Sequence, residues 1–103
     1  MVEMTIDMKM ISKKRKELLL TLRDMIASIR TQNGCVSCSA CLGMESNQLI
    51  SLNICWDSRK SMDDYQASRL FSALLGAIRL LCVSYQITVK TVLSVNGLNN
   101  VER

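Results

Sequence analysis

Apolar and polar residues alternate strictly along the first ten positions. Val2, Met4, Ile6, Met8 and Met10 are apolar; Glu3, Thr5, Asp7 and Lys9 between them are polar. A period of two predicts a strand over residues 2–10, one face on a core and the other on a wetter surface. The period then changes. Leu18, Leu22, Met25, Ile26 and Ile29 recur at helical spacing and predict a helix over about residues 13–32, with Ser12 as its N-cap. Asn33-Gly34 ends it, because glycine accepts the left-handed conformation found past a helix C-terminus. Residues 35–42 and 49–56 read as two strands joined by a loop at 43–48. In the later strand Ile50, Leu52, Ile54 and Trp56 share one face, and Ser51, Asn53 and Cys55 the other. Ser58 predicts the cap of a helix over 59–67. Ser68 predicts the cap of a continuation to about 81, striped by Leu70, Phe71, Leu74, Leu75 and Ile78, with Gly76 as a weak point or close-packing site. Residues 85–95 read as a last strand, with Ile87, Val89, Thr91, Leu93 and Val95 inward.

The order βαββαβ predicts an α+β, ferredoxin-like two-layer sandwich with both helical blocks on one face of the sheet. It is read as one domain over residues 1–103, with 98–103 as a loose tail. The other sheet face would carry Glu3, Thr5, Asp7, Lys9, Ser37, Ser39, Ser51, Asn53, Thr88 and Lys90, with Cys41, Cys55 and Val92 among them. Such a face suits water or a second sheet.

Composition narrows the classes. A hydrophobic fraction of 49% argues against disorder. No apolar stretch approaches the roughly 20 residues of a membrane span, so no membrane partner is expected. The N-terminus reads as a mixed polar strand and not as a secretory signal. Five cysteines, an odd number, then suggest reduced thiols and a cytoplasmic location. The net charge of +4 owes much to Lys13, Lys14, Arg15 and Lys16. That run reads as a solvated first helical turn that opposes the helix dipole. With four aromatics and no accompanying motif, nucleic acid is not an expected partner.

Several segments resemble one family. Asn33-Gly34-Cys35-Val36-Ser37-Cys38, Trp56-Asp57-Ser58, and Ser68-Arg69-Leu70-Phe71-Ser72-Ala73-Leu74-Leu75 are similar, in order and spacing, to the antibiotic biosynthesis monooxygenase (ABM) family, which includes quinol monooxygenases. The likeness covers about residues 2–97. It implies a homodimer, a dimeric α+β barrel in which two sheets pack face to face, and a pocket between sheet and helices in each subunit. Some members oxygenate quinols or polyketide aromatics with no metal or organic cofactor. Others degrade haem, isomerise a signalling sugar, or have no known activity, so fold alone does not choose the reaction. This chain departs from the pattern where many members carry histidines: Tyr65 and Leu70 stand there, and Leu75 stands at the haem-ligand position. The chain has no histidine, so the resemblance does not extend to haem degradation by that route.

The expected pocket is Met4, Ile6, Trp56, Tyr65, Arg69, Phe71 and Leu74, with Trp56 and Tyr65 as the catalytic candidates. Both rings could stack on a flat aromatic substrate, or simply pack a core. Asn53 and Asp7 fall on the opposite face by parity, and Met4, Met8 and Met10 read as core filling. Cys35, Cys38 and Cys41 have a metal-like spacing, but on a strand Cys38 would point away from the other two, so no metal site is expected. A register placing residue 35 opposite 55 would make Cys35 and Cys55 an oxidisable cross-strand pair. Three functions remain open: a cofactor-free monooxygenase acting on a quinol or other electron-rich aromatic; a non-catalytic ligand-binding or regulatory dimer; and a thiol sensor. For the first, the base would be a substrate-bound water, Tyr65, a carboxylate or the substrate's own acidity.

Overall fold

The computed structural model describes residues 1–92. The elements are β1 (Val2–Met10), a 3-10 turn at Ser12–Lys14, α1 (Arg15–Ile29), β2 (Cys35–Leu42), β3 (Leu49–Trp56), α2 (Arg59–Gln66), α3 (Arg69–Leu81) and β4 (Cys82–Thr91). The four strands form one antiparallel sheet in the order β2-β3-β1-β4. This is the ferredoxin-like α+β arrangement.

The alternation of β1 is realised as buried Val2, Met4, Ile6, Met8 and Met10. They meet Ile50, Leu52, Ile54 and Trp56 of β3 and, from the helices, Leu18, Leu22, Ile29, Met62, Tyr65, Phe71, Leu74 and Ile78. Among the described residues the buried set contains no charged side chain. The opposite face is polar. There Glu3 receives Lys90 Nζ at 3.3 Å and Cys55 Sγ at 3.7 Å, and the Thr5 hydroxyl donates to Asn53 at 3.0 Å.

Three local expectations are corrected. Ser12 does not cap α1. The helix begins only at Arg15 after a 3-10 turn, its N-cap residue Lys14 makes no side-chain cap, and the Ser12 hydroxyl accepts from the Gln48 amide. Four cations at the positive end of a helix, with no capping oxygen, account for the late start. The last strand begins at Cys82, directly after α3, because Cys82 is already extended. Val83 there is skipped in the pairing of β1 with β4. Leu93, Val95 and the tail lie outside the described residues.

The third correction concerns parity in β2. Cys35 pairs with Trp56, and Ser37 pairs with Cys55, so Val36 is an extra residue at a bulge. A bulge resets which face each side chain takes. Cys35 therefore joins Cys38 on the helix-side face, opposite Trp56 and Ile54, while Cys55 stays on the other face. The expected Cys35–Cys55 cross-strand pair is not formed.

Candidate functional site

Where β3 ends, three segments meet. Gly34 has φ +82°, a conformation that favours glycine, and its carbonyl accepts from Asp57 N–H at 2.8 Å. A Cβ there would lie 2.2 Å from Ser61 Oγ and 2.7 Å from Asp57 Oδ1. The turn after α1 thus presses directly on the start of α2. Ser58 caps that helix, accepting from Ser61 N–H at 3.2 Å. The Ser61 hydroxyl in turn donates to Asp57 at 2.7 Å and holds its carboxyl below the usual range, helped by Ser58 against some desolvation.

This junction encloses a cleft of about 170 Å³, lined by Gln32, Asn33, Trp56, Ser61, Asp64 and Tyr65. Trp56 arrives as the last residue of β3, and Tyr65 from the buried face of α2. Their rings lie 4.9 Å apart at 31°, and Phe71 meets Tyr65 edge-on at 5.2 Å. Ser68 fixes the corner between α2 and α3: its hydroxyl donates to the Tyr65 carbonyl and accepts from Phe71 N–H.

The most informative atoms in this site are two donors without acceptors. Trp56 Nε1 and the Tyr65 hydroxyl are both buried and unpartnered among the described residues. A buried polar group left unsatisfied is uncommon and costs about 1–3 kcal/mol. Here two occur on stacked neighbours that line one cleft. Burial, followed by the nearby Cys38 and Cys35 thiols, pushes the Tyr65 hydroxyl well above its ordinary pKa. It therefore stays protonated at neutral pH, a donor and not a base.

The remaining expected pocket residues lie elsewhere. Met4, Ile6 and Leu74 are fully buried and fill the space between sheet and helices that had been expected to form a hollow. Their long side chains close it, so the open volume is displaced to the edge of the core. Phe71 backs Tyr65, and Arg69 is exposed at the start of α3. Gln32, Asn33, Ser61 and Asp64 were not anticipated, although the first two flank the Gly34 turn that the sequence had already located.

Cys35 and Cys38 are not activated thiols. All five are free. Burial pushes Cys38 up to about 12 and raises Cys35 as well. A sensor thiol requires the opposite shift. Among the described residues no group of three or more potential ligands is arranged to hold a metal ion. A hollow of about 500 Å³ is an open trough at the far end of β1 near Asp7, Lys9 and Ser51, with neither orphan donor on its walls.

Solved structures share this architecture. A protein of Deinococcus radiodurans provisionally named an antibiotic biosynthesis monooxygenase superposes with a TM-score of 0.85 at 16% identity, over 91% of this chain and 94% of that one. A second structure, named antibiotic biosynthesis monooxygenase, gives 0.81 at 13% identity, over 91% of this chain and all of the other. The chain has the ABM fold. A conserved protein of Methanosarcina mazei shares it too, with a TM-score of 0.81 at 13% identity over 86% of this chain and 89% of that one. No family model matches the sequence, and no curated protein matches it. At such identities the likeness is one of fold, and a shared fold does not fix a shared chemistry. Among the described residues no helix is long and apolar enough to cross a membrane.

Proposed function

We propose that this chain binds a single-ring phenol or quinol beside Trp56 and Tyr65 and promotes its oxygenation by dioxygen, with no metal or organic cofactor. The observation that carries this reading is the pair of buried, unpartnered donors on stacked rings at one small cleft. A dry cavity of about 150 Å³ suffices to hold benzene. A cleft of about 170 Å³ thus suits one ring, not a fused polyketide. The Tyr65 hydroxyl and the Trp56 indole N–H donate to a ring oxygen and favour its anion. The cleft's carboxylate, Asp64, sits on the rim with Lys60 3.1 Å away and is the available proton acceptor. The electron-rich anion passes an electron to dioxygen, and the two radicals combine at a ring carbon. Loss of water then balances the reaction: hydroquinone plus dioxygen gives hydroxybenzoquinone plus water.

The protein acts as a homodimer in this reading, pairing the polar sheet faces. Oxygen uptake with hydroquinone and catechol, corrected for autoxidation, tests the reaction, with mass spectrometry to find the inserted oxygen atom. The expected result is enzyme-dependent uptake that falls at least about tenfold in Tyr65→Phe, the loss of one hydrogen bond to the charged ring oxygen of the anion. No uptake above the protein-free rate across single-ring quinols overturns it.

A second reading is favoured by the protonated state of Tyr65 and the absence of histidine, which leave Asp64 as the one carboxylate among the cleft's lining residues. In it the same cleft binds such a ring without turning it over, and the dimer serves a regulatory role. Thermal stabilisation by hydroquinone without oxygen uptake identifies this case.

A further inference from the structure

A separate groove of about 450 Å³ runs between α1 and the edge of the sheet, with Leu22, Ile26, Ala40 and Ile50 on its walls and Arg23 and Arg30 among its lining residues. It exists because β2 carries small side chains, Cys38 and Ala40, on the face beneath α1, so the helix overhangs an unfilled strip. Ile50, at one end, lies six residues from Trp56 along β3, about 20 Å away, while the Arg30 end approaches the turn that carries Gln32 and Asn33 of the aromatic cleft, with which the groove shares no lining residue. It is an open groove, so a ligand would lie along its walls with one side toward solvent.

The arginines decide the ligand's charge. Arg23, Ile26 and Arg30 share one helix face by their spacing. Arg30 Nε donates to the Cys38 carbonyl at 2.9 Å, which holds the guanidinium against β2. Its terminal nitrogens have no partner among the described residues. Arg23 approaches only its exposed neighbour Asp24, at 3.7 Å, a contact of little strength. Apolar walls with cationic groups beside them match an amphipathic anion.

We infer that this groove binds an unbranched medium-chain carboxylate, its tail on Leu22, Ile26, Ala40 and Ile50 and its head on Arg30. The site is independent of the aromatic cleft, and failure of either leaves the other standing. The probe is sodium decanoate, titrated into the full chain and followed by calorimetry and amide NMR. Saturable binding is expected, with shift changes confined to α1 and β2 and an affinity at least about fivefold above that of decanol, as a charge-assisted contact requires. Ala40→Leu fills the groove and abolishes binding. Arg30→Gln and Arg23→Gln each weaken it, with melting curves confirming that the variants fold. Absence of saturable binding, equal affinity for decanol, or shifts centred on Trp56 and Tyr65 each overturn the assignment. So does an Ala40→Leu variant that changes the oligomeric state in place of decanoate affinity, because the groove would then belong to a second copy.

Discussion

Replacing Tyr65 by Phe removes one oxygen atom and separates the cost of the site from its use. The ring stays, and with it the contacts to Trp56 at 4.9 Å and to Phe71 at 5.2 Å. What disappears is a hydroxyl that is buried without a partner. Such a group costs about 1–3 kcal/mol in the free protein. The void it leaves costs a few tenths of a kcal/mol (roughly 24 cal/mol per Å³). The ligand-free variant is therefore expected to be more stable by about 1–2 kcal/mol. At about 4–8 °C per kcal/mol for a domain near this size, calorimetry should find the melting temperature raised by roughly 4–16 °C. With a phenolic ligand the sign reverses. The variant loses a hydrogen bond of about 1 kcal/mol, so its affinity falls several-fold. A residue that weakens the free fold and strengthens the complex is characteristic of a binding site. A melting temperature unchanged or lowered in the ligand-free variant would refute the argument, because the hydroxyl would then already have a partner.

Other expectations follow from the same geometry. Gly34→Ala forces a Cβ onto Ser61 and Asp57 at φ +82° and should destabilise the fold by at least about 1–3 kcal/mol in urea denaturation, since strain and overlap add. Cys38 is raised from 9.0 to about 12, so the unfolded chain releases this proton first as pH increases. Its contribution to stability is complete below pH 9.0 and is lost as the pH rises through about 12. Melts across that window should fall with pH, and less steeply in Cys38→Ala. At pH 8 about one Cys38 thiol in 10⁴ is ionised, so iodoacetamide should label exposed Cys41 well before it, as peptide mass spectrometry can score. Ser61→Ala removes the main donor to Asp57, and carboxyl NMR titration should find the Asp57 pKa moved upward.

The layers of the fold were legible because their signals are local. The parity of β1, the apolar face of β3 and the serines before α2 and α3 each report directly on backbone geometry, and the ends of β2 and β3 fall where expected. Trp56 and Tyr65 were legible as neighbours for the same reason. The bulge at Val36 was not, because one inserted residue leaves no mark on composition or periodicity, and every face assignment before it reverses. The filling of the central hollow was also hidden. Whether Met4, Ile6 and Leu74 enclose a space or close it depends on how flexible side chains interlock across three elements, which no single segment encodes.

Val36 also has a consequence for variation in this chain. Deleting that residue would regularise the ladder: Ser37 would still pair with Cys55 and the preceding Cys35 with Trp56, so Cys35 would keep its place beside the aromatic pair. Loss of one residue at the bulge should therefore disturb the neighbourhood of Trp56 less than loss of one within Ser37–Leu42, where the paired side chains would change face.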